Sequence, residues 1–326
     1  MRVLAILCVV LNHFAGFGRL APFGHVNDLF FLGRFGVNCF FMLSGFLLGR
    51  SFLKAILDPA CEFPSVRLYL LRRFNRIYPL YAVAVLISAF ISVFVDGGAV
   101  VPFVVSHLTL AHGLFVDQVD NWINGPLWTM AIDAQFYLAL PLAAIVAKKA
   151  LAGRSRASRR SALFAALAAI SIASLVYRYV AYERAPQGAD DFAVALVYVR
   201  NFAGMLPAFA LGIALALVAL ERKSALSRKA AIAIVALGLG FFAALGMLKS
   251  GGASLTIKVL ADSFAALSAA AIFYGLWIAQ VPQLNRFTNS ALVAELATLA
   301  YGIYLFHWPI LTVVSKYLPI PVTAPL

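Results

Sequence analysis

Charge is scarce in this chain. Asp, Glu, Lys and Arg make up 12% of its 326 residues, against roughly 25% in soluble domains. With 63% apolar residues and a mean hydropathy of +0.93, that scarcity excludes an ordinary soluble enzyme. Cysteine is sparse as well: Cys8, Cys39 and Cys61 form no C-x-x-C pair and lie in or near apolar runs, which supports neither a disulfide framework nor a zinc site. There is no Gly-rich phosphate loop and no His-Glu-x-x-His pattern, and His107 and His112, five residues apart, fall on different helix faces. No metal site is expected. No internal repeat or low-complexity linker divides residues 1–326, which read as a single membrane domain.

What the chain has in abundance is hydrocarbon. Apolar stretches near the 20 residues needed to cross a bilayer occupy residues 3–17, 36–53, 78–95, 127–147, 162–180, 204–220, 230–248, 256–279 and 297–316. The predicted fold is all-α, a polytopic membrane bundle of about nine to ten transmembrane helices. A further stretch, 100–116, is interrupted by Ser106, His107, Thr109 and His112. If it does not cross and the N-terminus lies inside, 18 of the 26 basic residues fall in cytoplasmic loops, and acids such as Asp117, Asp120, Asp190 and Asp191 fall outside. That distribution obeys the positive-inside rule. Counting 100–116 as a crossing would put the six cations of Lys148–Arg160 outside, so the segment is assigned to an external or re-entrant layer. Tyr78 and Tyr81, and Trp122 and Trp128, read as interfacial aromatics at the inner and outer starts of two spans. The basic run 154–160 reads as a cytoplasmic retention loop; the partner is a lipid bilayer and not nucleic acid.

Ionisable groups inside hydrocarbon cost about 2.5 to 3.5 kcal/mol near a helix centre, and each is a functional candidate. Arg2 and His13 are eleven residues apart, which puts them on one helix face about 16 Å from each other. The bland alternative makes Arg2 a topology anchor and His13 a satisfied core histidine. Asp133 lies within the stretch 127–147, on a helix opened by Trp128 and Thr129, where a carboxylate needs a partner. Lys258 and Asp262, four apart, can satisfy each other on one helix.

Six strings in order carry more: RVLAILCVVLNHF at the start, FFMLSGFLLGRSF at 40–52, RRFNRIYPLY at 72–81, GPLWTMAIDAQFYLALPL at 125–142, LPAFALG at 206–212 and YGIYLFHWPI at 301–310. Together they resemble the acyltransferase-3 family of membrane proteins, which includes O-antigen and exopolysaccharide O-acetylases. The resemblance covers nearly the whole chain. It implies transfer of an acyl group, usually acetyl, from cytoplasmic acyl-CoA to a hydroxyl of a carbohydrate or glycolipid acceptor, in a bacterial inner membrane.

The family's Arg and His with ten residues between them match Arg2 and His13. Guanidinium groups suit the phosphates of coenzyme A, so Arg2, Arg72, Arg73 and Arg76 are candidates for a phosphate cradle, unless they only mark positive-inside orientation. His13 is the candidate general base or, alternatively, an acyl-accepting nucleophile. Asp133 replaces the Glu common in the family and is a candidate orienter of His13, a binder of the acceptor hydroxyl, or a structural partner. Ser44, Trp128, Thr129 and His307 are further cavity candidates, with close packing the rival role for Ser44. A transporter or flippase using His13, Asp133 and His307 as an intramembrane path is the alternative activity. Family members commonly have residues resembling L-D-G-L-R before the first arginine and often continue through another helix, so the chain is expected to be truncated at both ends.

Overall fold

A computed structural model describes residues 1–16, 30–96, 101–114, 123–185, 198–221, 226–247, 254–278 and 290–317. Trp122, Asp117, Asp120, Asp190 and Asp191 lie outside the described residues. Among the described residues there are ten α-helices and no strand. They are α1 (Arg2–Gly16), α2 (Phe30–Leu57), α3 (Val66–Asp96), α4 (Val101–Leu108), α5 (Trp128–Ala150), α6 (Arg156–Glu183), α7 (Phe202–Glu221), α8 (Arg228–Met247), α9 (Leu255–Phe273) and α10 (Ala291–Tyr317). Short 3₁₀ turns at His112–Leu114 and Gly125–Leu127 and a π turn at Tyr274–Ile278 also occur.

Several helices begin earlier than hydropathy alone indicates, and serine explains where. The hydroxyl oxygens of Ser65, Ser155, Ser227, Ser254 and Ser290 accept the backbone N–H three residues on, opening α3, α6, α8, α9 and α10. Each satisfies one of the donors that a helix start leaves unpaired. Tyr78 and Tyr81 consequently lie well inside α3, not at its mouth. Their hydroxyls donate to the carbonyls of Leu108 and His107 at 3.0 and 2.7 Å, and Tyr81 is fully buried. These tyrosines pin α4 to α3.

Seven helices, α2, α3, α5, α6, α7, α9 and α10, are long and apolar enough to cross a membrane, and the chain is an integral membrane protein. The expected spans at 3–17 and 230–248 are helical, as α1 and α8, but fall outside that set of seven. For α1 the reason is length, since fifteen residues rise only about 22 Å. Segment 100–116 contains the eight-residue α4, which rises about 12 Å and is too short to cross.

α2 is the central helix. Buried positions make up 61% of its most apolar window, against 17% for the peripheral α6. Its close neighbour is α7, and glycine permits the approach: a Cβ on Gly45 would sit on the Phe209 carbonyl oxygen, and one on Gly212 on that of Met42. Small residues are how membrane helices bring backbones together. Phe41, Phe209 and Phe136 fill the space beside this crossing, with ring centroids 4.8 and 4.0 Å apart in sequence of contact. α1 packs against both α2 and α10, which sets its two functional ends against the interior.

The ends of the helices group by side. Arg156 at the start of α6 pairs with Glu221 at the end of α7 at 2.7 Å, Arg159 donates to the Ile56 carbonyl, and Lys148 lies 5.2 Å over the Phe63 ring. At the opposite end Arg34, Arg178 and Asp262 meet.

Candidate active site

α1 carries His13 near its C-terminal end, and α10 brings His307 against it. The imidazoles stack with centroids 5.0 Å apart, and His13 Nδ1 lies 2.8 Å from His307 Nε2. Backbone carbonyls settle the protons. His307 Nδ1 is 2.8 Å from the Tyr304 carbonyl oxygen and 3.2 Å from that of Ile303; both oxygens can only accept, so Nδ1 carries the hydrogen. A neutral His307 then presents a lone pair at Nε2, His13 Nδ1 donates to it, and a neutral His13 keeps its own lone pair on Nε2. The assignment follows from hydrogen-bond partners, and it leaves His13 with a basic nitrogen directed away from the pair.

Trp308 presents an edge to the His13 ring at 5.2 Å. It fits because residue 125 is glycine, where a Cβ would come within 3.0 Å of the indole. Thr129, predicted as a cavity residue, shares a 2.6 Å hydrogen bond with the Tyr304 hydroxyl, which also reaches the Pro126 carbonyl at 2.8 Å. Asn124 donates to Ser88 and to the Leu305 carbonyl. This network of buried groups ties the 125–127 turn to α10 and holds His307 in place. Trp128 faces elsewhere: its indole packs edge-on to Phe41 and lies 5.7 Å beneath the Arg200 guanidinium.

Asp133 belongs to a second cluster. It is 8% exposed, and its side chain meets the hydroxyls of Tyr137 and Ser44. Tyr69 faces it from α3, next to Arg73, and Tyr137 stands among Asp133, Tyr69, Arg73 and Tyr301. Arg2, half-buried at the start of α1, has Arg76, Tyr137 and Arg73 as its charged and polar neighbours. Arg72 and Arg76 are exposed. The structure therefore brings Arg2, Arg73 and Arg76 together at one end of α1 and His13 with His307 at the other, and places Asp133 and Ser44 between these groups. His13 finds its hydrogen-bond partner in His307 and not in Asp133.

Asp262 is a further departure. Its carboxylate accepts from Asn38 at 3.1 Å and stands 3.4 Å from Arg34 Nε and 4.0 Å from Arg178 Nη1, so its charge is answered by α2 and α6 in addition to anything on its own helix. Arg178 is 0% exposed and also donates to the carbonyls of Gly204 and Val259. Nothing local in the sequence marks Arg34 and Arg178 as its partners; His13 and His307 were each visible, but not their pairing across 294 positions. Tyr69 and Tyr137 were missed, although each sits four residues from a named candidate, Arg73 or Asp133, on the same helix face.

The fold and these two clusters define a helical membrane protein with a buried polar axis running along one face of α1. Residues 1–326 match the family described as an acyltransferase domain, and the chain belongs to that acyltransferase-3 family. It is 34% identical over 118 residues to the acyltransferase MdmB of Streptomyces mycarofaciens, covering 34% of this chain and 28% of that protein. It is 29% identical over 171 residues to a regulator of hypoxia-inducible factor 1 from Caenorhabditis elegans, covering 43% and 32% respectively. The match thus spans about a third or less of each relative's length. No solved structure matches.

Proposed function

We propose that this protein is a membrane O-acyltransferase. It moves an acyl group, most simply acetyl, from acyl-CoA at the arginine-bearing end of α1 to a hydroxyl of a carbohydrate or glycolipid that enters at the histidine end. The observation that carries this reading is the His13–His307 pair, whose hydrogen bonding leaves His13 Nε2 as a free base. Membership of the acyltransferase family and likeness to a protein named an acyltransferase support it.

In the proposed reaction His13 Nε2 takes the proton of the acceptor hydroxyl while its oxygen attacks the thioester carbonyl. The imidazolium so formed shares its Nδ1 hydrogen with His307. Collapse of the tetrahedral intermediate breaks the carbon–sulfur bond, and the departing thiolate recovers the proton from Nε2. Arg2, Arg72, Arg73 and Arg76 supply charge-assisted donors to the donor's phosphates. The arginine end faces the cytoplasm, where the thioester is made, with the N-terminus inside a bacterial inner membrane.

The test follows radiolabel from acetyl-CoA into alkali-labile groups on envelope glycans, using membranes from a deletion strain complemented with wild type or His13→Ala. Label in step with coenzyme A release, present only with wild type, is the expected result. Equal label from the inserted His13→Ala protein removes His13 from the mechanism. Acceptor movement without coenzyme A release replaces the enzyme with a transporter.

A further inference from the structure

Three buried polar atoms around Asp133 have no hydrogen-bond partner: Arg73 Nε, Tyr69 Oη and Asp133 Oδ1. Leaving such atoms unpaired carries the desolvation penalty of each group, and native folds rarely tolerate it away from a binding site. Their residues group around Tyr137, which is hydrogen-bonded to Asp133 and stands near Tyr69 and Arg73. Tyr69 and Arg73 stand one turn apart on α3, and Tyr69 faces both Arg73 and Asp133. In chemical type they are one obligate donor, one acceptor and one hydroxyl able to do either.

We propose that Tyr69, Arg73 and Asp133 seat a secondary amide of the donor's pantetheine arm, with the amide N–H donated to Asp133 Oδ1 and its carbonyl oxygen accepting from both Arg73 Nε and the Tyr69 hydroxyl. This rests on the acyl-CoA reading above and goes further by giving Asp133 a donor-binding role instead of a place in the proton transfer. A secondary amide carries one donor and one acceptor on a planar unit, which matches the unpaired set. A phosphate offers only acceptors and leaves Asp133 unanswered.

The surroundings fit the rest of the arm. Arg73 and Tyr137 border a half-open groove of about 270 Å³ whose other walls include Leu70, Met130 and the exposed Phe74 and Leu138, apolar surface suited to the methyl and methylene groups that separate the arm's amides. The cluster also lies where the arm must pass. Arg2, on the phosphate side, neighbours both Arg76 and Tyr137, while Tyr301 and Tyr304 continue the polar line from Asp133 to His307. Arg2 and His13 are about 16 Å apart along α1, so an extended arm is required to bring the thioester from one to the other.

The experiment compares binding of two probes to the full chain in lipid nanodiscs: coenzyme A, and adenosine 3′,5′-bisphosphate, which has phosphates but no arm. Tyr69→Phe, which keeps the ring against Phe52, and Asp133→Leu should each weaken coenzyme A binding about tenfold and leave the bisphosphate within twofold. Arg76→Ala should weaken both probes. Coenzyme A binding unchanged in Tyr69→Phe, or both probes weakened alike by it, overturns the amide seat and leaves the donor reading intact. Wild type binding neither probe overturns the donor reading, and the amide seat with it.

Discussion

The chemistry rests on where one hydrogen sits. In the proposed reaction, because His307 Nδ1 is committed to the Tyr304 carbonyl, His307 would act through His13 as a positioning residue. Replacing it with Phe removes the acceptor for His13 Nδ1 and frees the His13 ring to turn and change tautomer. Since general-base assistance contributes about 10² to 10⁴ in rate, His307→Phe should lower kcat about a hundredfold with the KM for acyl-CoA within twofold. His307→Gln, whose amide oxygen reaches close to the place of Nε2, should recover at least a tenth of wild-type kcat; steady-state kinetics on both variants decides. Equal losses in the two variants would make the role merely one of packing. Asp262 illustrates why residue-level reading of a sequence stops short. Spacing alone offers Lys258, one turn away, yet Asn38 and Arg34 reach the carboxylate from more than 220 positions upstream. Local periodicity encodes what shares a helix face but not which faces meet.

For the helices, two kinds of signal had different reach. Among the described residues, each of the seven helices long and apolar enough to cross overlaps an expected stretch, because about 20 apolar residues are needed whatever the partners. Hydropathy misplaced their starts, which are set by single serines such as Ser65 and Ser155, and it did not show that the Tyr78 and Tyr81 hydroxyls hold α4. In the string containing Ser44 and Gly45, Gly45 lets α2 meet α7, while Ser44 meets Asp133. Gly212 is the reciprocal contact. Gly212→Val should force the two backbones apart at a cost of about 3 kcal/mol or more, seen as a fall in thermal unfolding temperature in detergent. Gly240→Val, where a side chain meets open space, should stay within a degree or two of wild type. A similar fall at both positions would mean that close contact is not what Gly212 provides.

Across the whole molecule, charge parity predicted the sides on which loops lie. The structure groups Arg156 with Glu221 at one end and Arg34 with Asp262 at the other. The orientation in the membrane can be read with the native cysteines. Cys61 lies in the connection between α2 and α3 and is partly exposed, whereas Cys8 and Cys39 are buried. A membrane-impermeant maleimide should label the wild-type protein in inside-out vesicles and not in right-side-out ones, and Cys61→Ser should abolish the signal; label in right-side-out vesicles alone reverses the proposed topology.

α1 adds a constraint of another kind. Arg2 and His13 belong to opposite ends of the polar axis but to one rigid rod, and eleven residues are three turns plus about 20°. The residues between them can vary in identity as long as their number does not. One added or lost residue swings either end by about 100°, so that an arginine and a histidine still present in the chain no longer look into the same interior. For this segment the count of residues is itself the inherited information, and gaps within it should be rarer than substitutions.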